Sequence, residues 1–139
     1  MKRIIHPCKA LSVILWLVAM HSFIVGLGLI FMPPDILEVF GFTVAEKFFS
    51  AQGGVFHIVV CMVYIGGAQN IVKNKLLIQI SIAAKFVATF FLLFYYFVIN
   101  NIWVVLFSGL GDFLMGIIIL LILRKCNQEL NIAKNTIKK

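Results

Sequence analysis

Residues 101–123 read NIWVVLFSGLGDFLMGIIILLIL, a long apolar run with a single carboxylate, Asp112, at its centre. As a helix rising 1.5 Å per residue, about twenty such residues cross the roughly 30 Å hydrocarbon core of a bilayer. A carboxylate in the middle of that path costs roughly 2.5–3.5 kcal/mol on insertion scales, so Asp112 calls for a partner. Ser108 stands one helical turn before it and Gly116 one turn after.

Working outward, three more runs of similar length cover residues 10–32, 48–71 and 76–99. The chain has 139 residues, of which 63% are hydrophobic and 12% charged, with a mean hydropathy of +1.09. A soluble domain carries about twice that charged fraction. The runs are continuous and do not alternate, which argues against a transmembrane β-barrel. The expected fold class is all-α: a polytopic membrane protein, residues 1–139 forming a single four-transmembrane-helix bundle with no soluble catalytic domain.

The connections are short. A basic head, residues 1–9, leads into the first run, which is longer than the apolar region of a cleaved signal peptide and reads as an uncleaved anchor. Pro33-Pro34 ends that helix, because proline cannot continue the hydrogen-bond ladder. The following DILEVFGF (35–42) predicts a short amphipathic turn at the membrane interface, ended by Gly41. Residues 70–75 predict a tight polar turn, and Asn100-Asn101 the shortest connection. The rings of Phe90, Phe91, Phe94, Tyr95, Tyr96, Phe97 and Trp103 predict an interfacial belt. The tail, 124–139, is expected to leave the membrane as helix and then fray.

The net charge of +7 is gathered at helix ends and forms no basic face interleaved with readers, so a nucleic-acid partner is not expected. Lys2, Arg3, Lys9, Lys73, Lys75, Arg124, Lys125, Lys134, Lys138 and Lys139 stand at one set of ends, against Lys47 alone at the other. The positive-inside rule then predicts both termini in the cytoplasm. Cys8, Cys61 and Cys126 have neither metal-ligand nor CxxC spacing and are expected to be free thiols.

Each span carries one ionisable residue near its midpoint: His21, His57, Lys85 and Asp112. Such groups usually face a bundle interior, so together they predict one polar layer. Counted from the 100–101 turn, Lys85 and Asp112 differ in depth by roughly 6 Å, within the reach of a lysine stem, which predicts an ion pair between them. Ser81 and Thr89 flank Lys85 at four residues, and Ser108 flanks Asp112, so hydroxyls are available to the buried charges. Gln52 falls on a different face from His57 and is assigned to the outer half of the bundle. A His beside a carboxylate can relay protons; a pair that only fixes helix docking fits the same residues. No spacing requires a metal site, and no Gly-rich phosphate loop, HExxH or GxSxG is present, so no catalytic residue is assigned.

The stretches GLGLIFMPPDILEVFGF and FFSAQGGVFHIVVCMVYIGGA, a glycine-bearing first helix, prolines, a short amphipathic segment and a small-residue second helix, resemble the DoxX-like group. These are small four-helix bacterial membrane proteins. The resemblance implies a subunit or accessory of the bacterial inner membrane, in some cases linked to quinone or thiol redox chemistry. Relatives often carry an arginine before a glycine early in the second helix, where this chain has Gln52-Gly53, and no site residue is carried over from them. The functional expectation is a non-catalytic accessory or lipid- or quinone-binding module, partnered by the bilayer and by a protein or a second copy. The alternative is a small proton-coupled transporter using Asp112 and Lys85.

Overall fold

The computed structural model describes residues 6–43 and 46–137. Of the basic head and tail, residues 1–5 and 138–139 lie outside the described residues. Every element is helical: α1 (His6–Phe31), α2 (Pro34–Val39), α3 (Lys47–Gln69), α4 (Lys75–Phe94) and α5 (Trp103–Ile137), with a π-helical turn, Tyr95–Ile99, extending α4. Four of these stretches are long and apolar enough to cross a membrane: His6–Phe31, Lys47–Gln69, Lys75–Ile99 and Trp103–Thr136. Large apolar side chains such as Phe49, Met62, Val87 and Phe107 cover the outside, as suits a surface facing hydrocarbon.

The four long helices form a ring in which α1 packs on α3, α3 on α4, α4 on α5 and α5 back on α1. Short connections make sequence neighbours antiparallel. The ring therefore has a terminal end, where α1 starts, α5 finishes and the 70–74 turn sits, and a loop end at 32–46 and 100–102. At the terminal end Asn70 Oδ1 accepts from the Lys73 amide at 3.0 Å, and Asn74 Nδ2 donates to the Gly66 carbonyl at 2.6 Å. These bonds hold α3 and α4 together there.

Packing is uneven along the bundle axis. The main core gathers Leu11, Leu15 and Ala19 of α1 with Tyr64 and Ala68 of α3, Ile78 and Ile82 of α4, and Ile119 and Leu123 of α5. All lie from mid-bundle toward the terminal end. At the loop end the helices pack as two pairs. α1 and α3 cross at Gly26 and Gly54, where a β-carbon on Gly54 would fall 2.5 Å from the Gly26 carbonyl oxygen. α4 and α5 meet where Gly109 faces Leu92 and Leu93. Small residues let backbones approach where lipid supplies no hydrophobic driving force between helices.

α2 opens with Pro34 in its first turn, where its missing amide costs nothing. It ends at Gly41, which takes φ 90°. The segment packs on the bundle. Leu37 is buried while Ile36 and Val39 face outward, Gly41 abuts Ile102, and the Phe40 ring stands 6.2 Å from that of Trp103. α2 thus ties the end of α1 to the start of α5.

Two expectations change. Cys8 and Cys126 are not free thiols: they form a disulfide between α1 and α5, across a sequence separation of 118, with Cα atoms 4.9 Å apart. The ring topology is the reason, because it sets the start of the first span beside the far end of the last. Cys61 is free and buried. The tail does not fray within the described residues, since α5 continues to Ile137 and Leu130 still packs on the core.

Candidate functional site

Lys85 lies on the buried face of α4 with Ile78, Ser81, Ile82 and Thr89. Its Nζ is 2.5 Å from Asp112 Oδ1, and the two side chains are only 5% and 14% exposed. Gly116, one turn beyond Asp112, makes room for the lysine stem: a β-carbon there would come within 3.3 Å of Lys85 Cβ. The ammonium also stands 5.6 Å from the centroid of the Tyr64 ring on α3, close enough for cation–π attraction. One cation is thus bracketed by a carboxylate from α5 and an aromatic face from α3.

On the opposite wall, Ser22 of α1 meets His57 of α3. Ser22 Oγ donates to the His57 carbonyl at 3.0 Å and lies 3.3 Å from His57 Nδ1. The hydroxyl has one proton and the carbonyl takes it, so the contact with the ring is satisfied by an Nδ1–H donating to Oγ. In the neutral ring that leaves Nε2 as an acceptor.

Between these groups is a cavity of about 160 Å³ lined by Ser22, Phe56, His57, Val60, Tyr64, Ala84, Lys85, Ala88 and Asp112. All four long helices contribute. Phe56 is 61% exposed and Ala84 and Ala88 are half-buried, so the mouth lies between α3 and α4 on the outward-facing side. α3 is held close to α1 at the Gly26–Gly54 crossing, and it meets α4 near the 70–74 turn, where a β-carbon on Gly67 would come within 3.2 Å of Ile78.

One residue of the expected layer, His21, lies elsewhere, and so does the supporting Ser108. His21 is exposed on the outside of α1; the inward stripe runs through Val18, Ala19, Ser22 and Gly26, and one residue of offset turns a side chain by about 100°. Ser108 is exposed for the same reason, with Val105 and Gly109 holding the inward positions of α5. Gln52 is exposed as well. Ser81 is buried, but its hydroxyl donates to the Leu77 carbonyl, and Thr89 donates to that of Lys85. Both bond back one turn along their own helix and leave the ion pair alone. Sequence reasoning missed Ser22 as a wall residue; the signal was its register with Gly26, four residues on. Among the described residues no group of three His, Cys, Asp or Glu side chains is placed to hold a metal ion.

Comparisons of the chain with family models, with curated proteins and with solved structures return no match.

Proposed function

We propose that this chain is a non-catalytic membrane module that admits the polar end of a lipid-soluble molecule into its mid-bundle cavity. The observation that carries this reading is the composition of the cavity wall. Five polar side chains, Ser22, His57, Tyr64, Lys85 and Asp112, converge on it, while its mouth is lined by Phe56 and alanines. A mouth of that kind suits entry from the bilayer, and a few polar groups set in a largely apolar wall suit a small headgroup. Lys85 and Asp112 neutralise one another, and a further buried charge would be costly, so the ligand is uncharged at its polar end. A quinone ring or the hydroxyl or carbonyl end of a neutral lipid has that chemistry. In this reading the protein sits in a bacterial inner membrane with both termini cytoplasmic, as its basic ends and its DoxX-like pattern suggest, and serves as an accessory to a protein partner or a second copy.

The test is purification in gentle detergent followed by native mass measurement and extraction of whatever travels with the protein. A stoichiometric neutral lipid or quinone, lost on Ala88→Trp, is the expected result. A bare protein that binds neither on reconstitution would sink the reading.

A second reading, a small proton-coupled transporter, is favoured by one specific arrangement: His57 shares the cavity with the Lys85–Asp112 pair, so groups able to exchange protons line the same space. Substrate flux in vesicles that Asp112→Asn abolishes would select it.

A further inference from the structure

Cys8 and Cys126 close the terminal end of the α1–α5 seam. The same two helices carry the cavity residues Ser22 and Asp112. Cys8 precedes Ser22 by fourteen residues and Cys126 follows Asp112 by fourteen, about 21 Å along each helix. The bond therefore sits at one fixed distance from the cavity on both strands of one seam. Both sulfurs are buried, with Cys8 in the first turn of α1 and Cys126 fully covered.

The surroundings make the bond unusual. Lys9, Lys73, Lys75, Arg124 and Lys125 all lie at this end, and by the positive-inside rule this is the cytoplasmic face. The cytosol keeps thiols reduced, and a disulfide found there is usually transient and redox-responsive. We propose that Cys8–Cys126 is a reversible thiol–disulfide site that exchanges with the low-molecular-weight thiols of the cytosol and joins α1 to α5 only when oxidised. The inference rests on the orientation proposed above and is independent of what the cavity binds.

The exchange balances without any other reactant. The thiolate of a small thiol attacks Cys8 Sγ, the bond between the two cysteine sulfurs breaks, and Cys126 leaves as a thiolate that takes up a proton. A second small thiol then attacks the mixed disulfide, releasing Cys8 as a thiol and one molecule of small-molecule disulfide. Oxidation is the reverse, with that disulfide accepting the two electrons. Access is from the Cys8 side, because the first turn of a helix opens at little cost, whereas Cys126 lies well inside the continuous α5.

The experiment uses the full chain carrying Cys61→Ser, so that only this pair can react, in cells quenched with acid and labelled with a polyethylene-glycol maleimide. Two labels in untreated cells, none after diamide, and two again after its removal are expected. A chain with no label in untreated cells that stays unlabelled in a membrane-permeant dithiol has a static structural bond, which overturns the proposal. Two labels that persist through diamide overturn it as well. A C-terminal epitope, probed by protease on intact and on permeabilised cells, reads orientation separately. An epitope cleaved in intact cells refutes the cytoplasmic assignment, and this proposal with it, while leaving the cavity reading to its own test.

Discussion

The stem of Lys85 lies against Gly116, and its ammonium closes on Asp112 one turn back along α5. The glycine and the carboxylate act as one device, the first setting how near α4 approaches and the second giving the lysine a reason to be buried. An ion pair in this setting contributes less to net stability than its intactness does, because the cost appears when one partner is missing.

Lys85→Met or Asp112→Leu alone strands a buried charge and is expected to cost about 3–5 kcal/mol, whereas the double substitution is tolerated. Unfolding in detergent micelles, followed for the two single variants and the double, measures this. A double variant no more stable than either single one would mean the pair is not the unit described.

Gly54→Ala brings a β-carbon within 2.5 Å of the Gly26 carbonyl oxygen and 2.7 Å of the Ile30 side chain. Forced separation of α1 from α3 is expected to cost about 1–3 kcal/mol. Gly111→Ala is the matched control, since nothing lies within 4 Å of its β-carbon; a gain of up to about 1 kcal/mol is expected from helix propensity alone. Equal effects at the two positions would contradict the close crossing.

Ser22→Ala removes the hydroxyl that serves both the carbonyl and the ring of His57. A loss of about 1 kcal/mol is expected, together with a changed imidazole proton signal for His57 in nuclear magnetic resonance. His21→Ala, at an exposed position, should stay within about 0.5 kcal/mol of the parent. If His21 proves the more sensitive of the two, the facing of α1 is misassigned.

Ala88→Trp places an indole at the mouth of the cavity, where the alanine is only half-buried. Loss of the co-purifying molecule, with a thermal midpoint equal to that of the parent protein stripped of it, is the expected pattern. Retention of that molecule at full stoichiometry would move the binding site elsewhere.

The spans were legible in the sequence because hydrocarbon demands long apolar runs and little else. The Lys85–Asp112 contact was legible because a very short connection at 100–102 fixes the depth of both residues. Facing was harder to read. In a soluble helix the polar side marks the outside, but here lipid is as apolar as the core, so nothing in α1 separates His21 from Ser22 by hydropathy. Ser108 was misplaced for the same reason, one position from the inward Gly109. The disulfide needed the ring order, which spacing does not carry: both cysteines could be assigned to one end, but not to neighbouring helices. The cavity is walled by all four long helices, and a stripe of small residues does not announce its partner.

α5 runs without a break from Trp103 to Ile137, so Asp112 and the tail belong to one rigid rod. From Asp112 to Thr136 is about 36 Å at helical rise. A tilt of about 5° at the level of Asp112 would carry the far end sideways by roughly 3 Å on that rise. A small change of angle at Asp112 is therefore magnified at the far end of α5. Bonded to Cys8, Cys126 clamps that rod partway along its length.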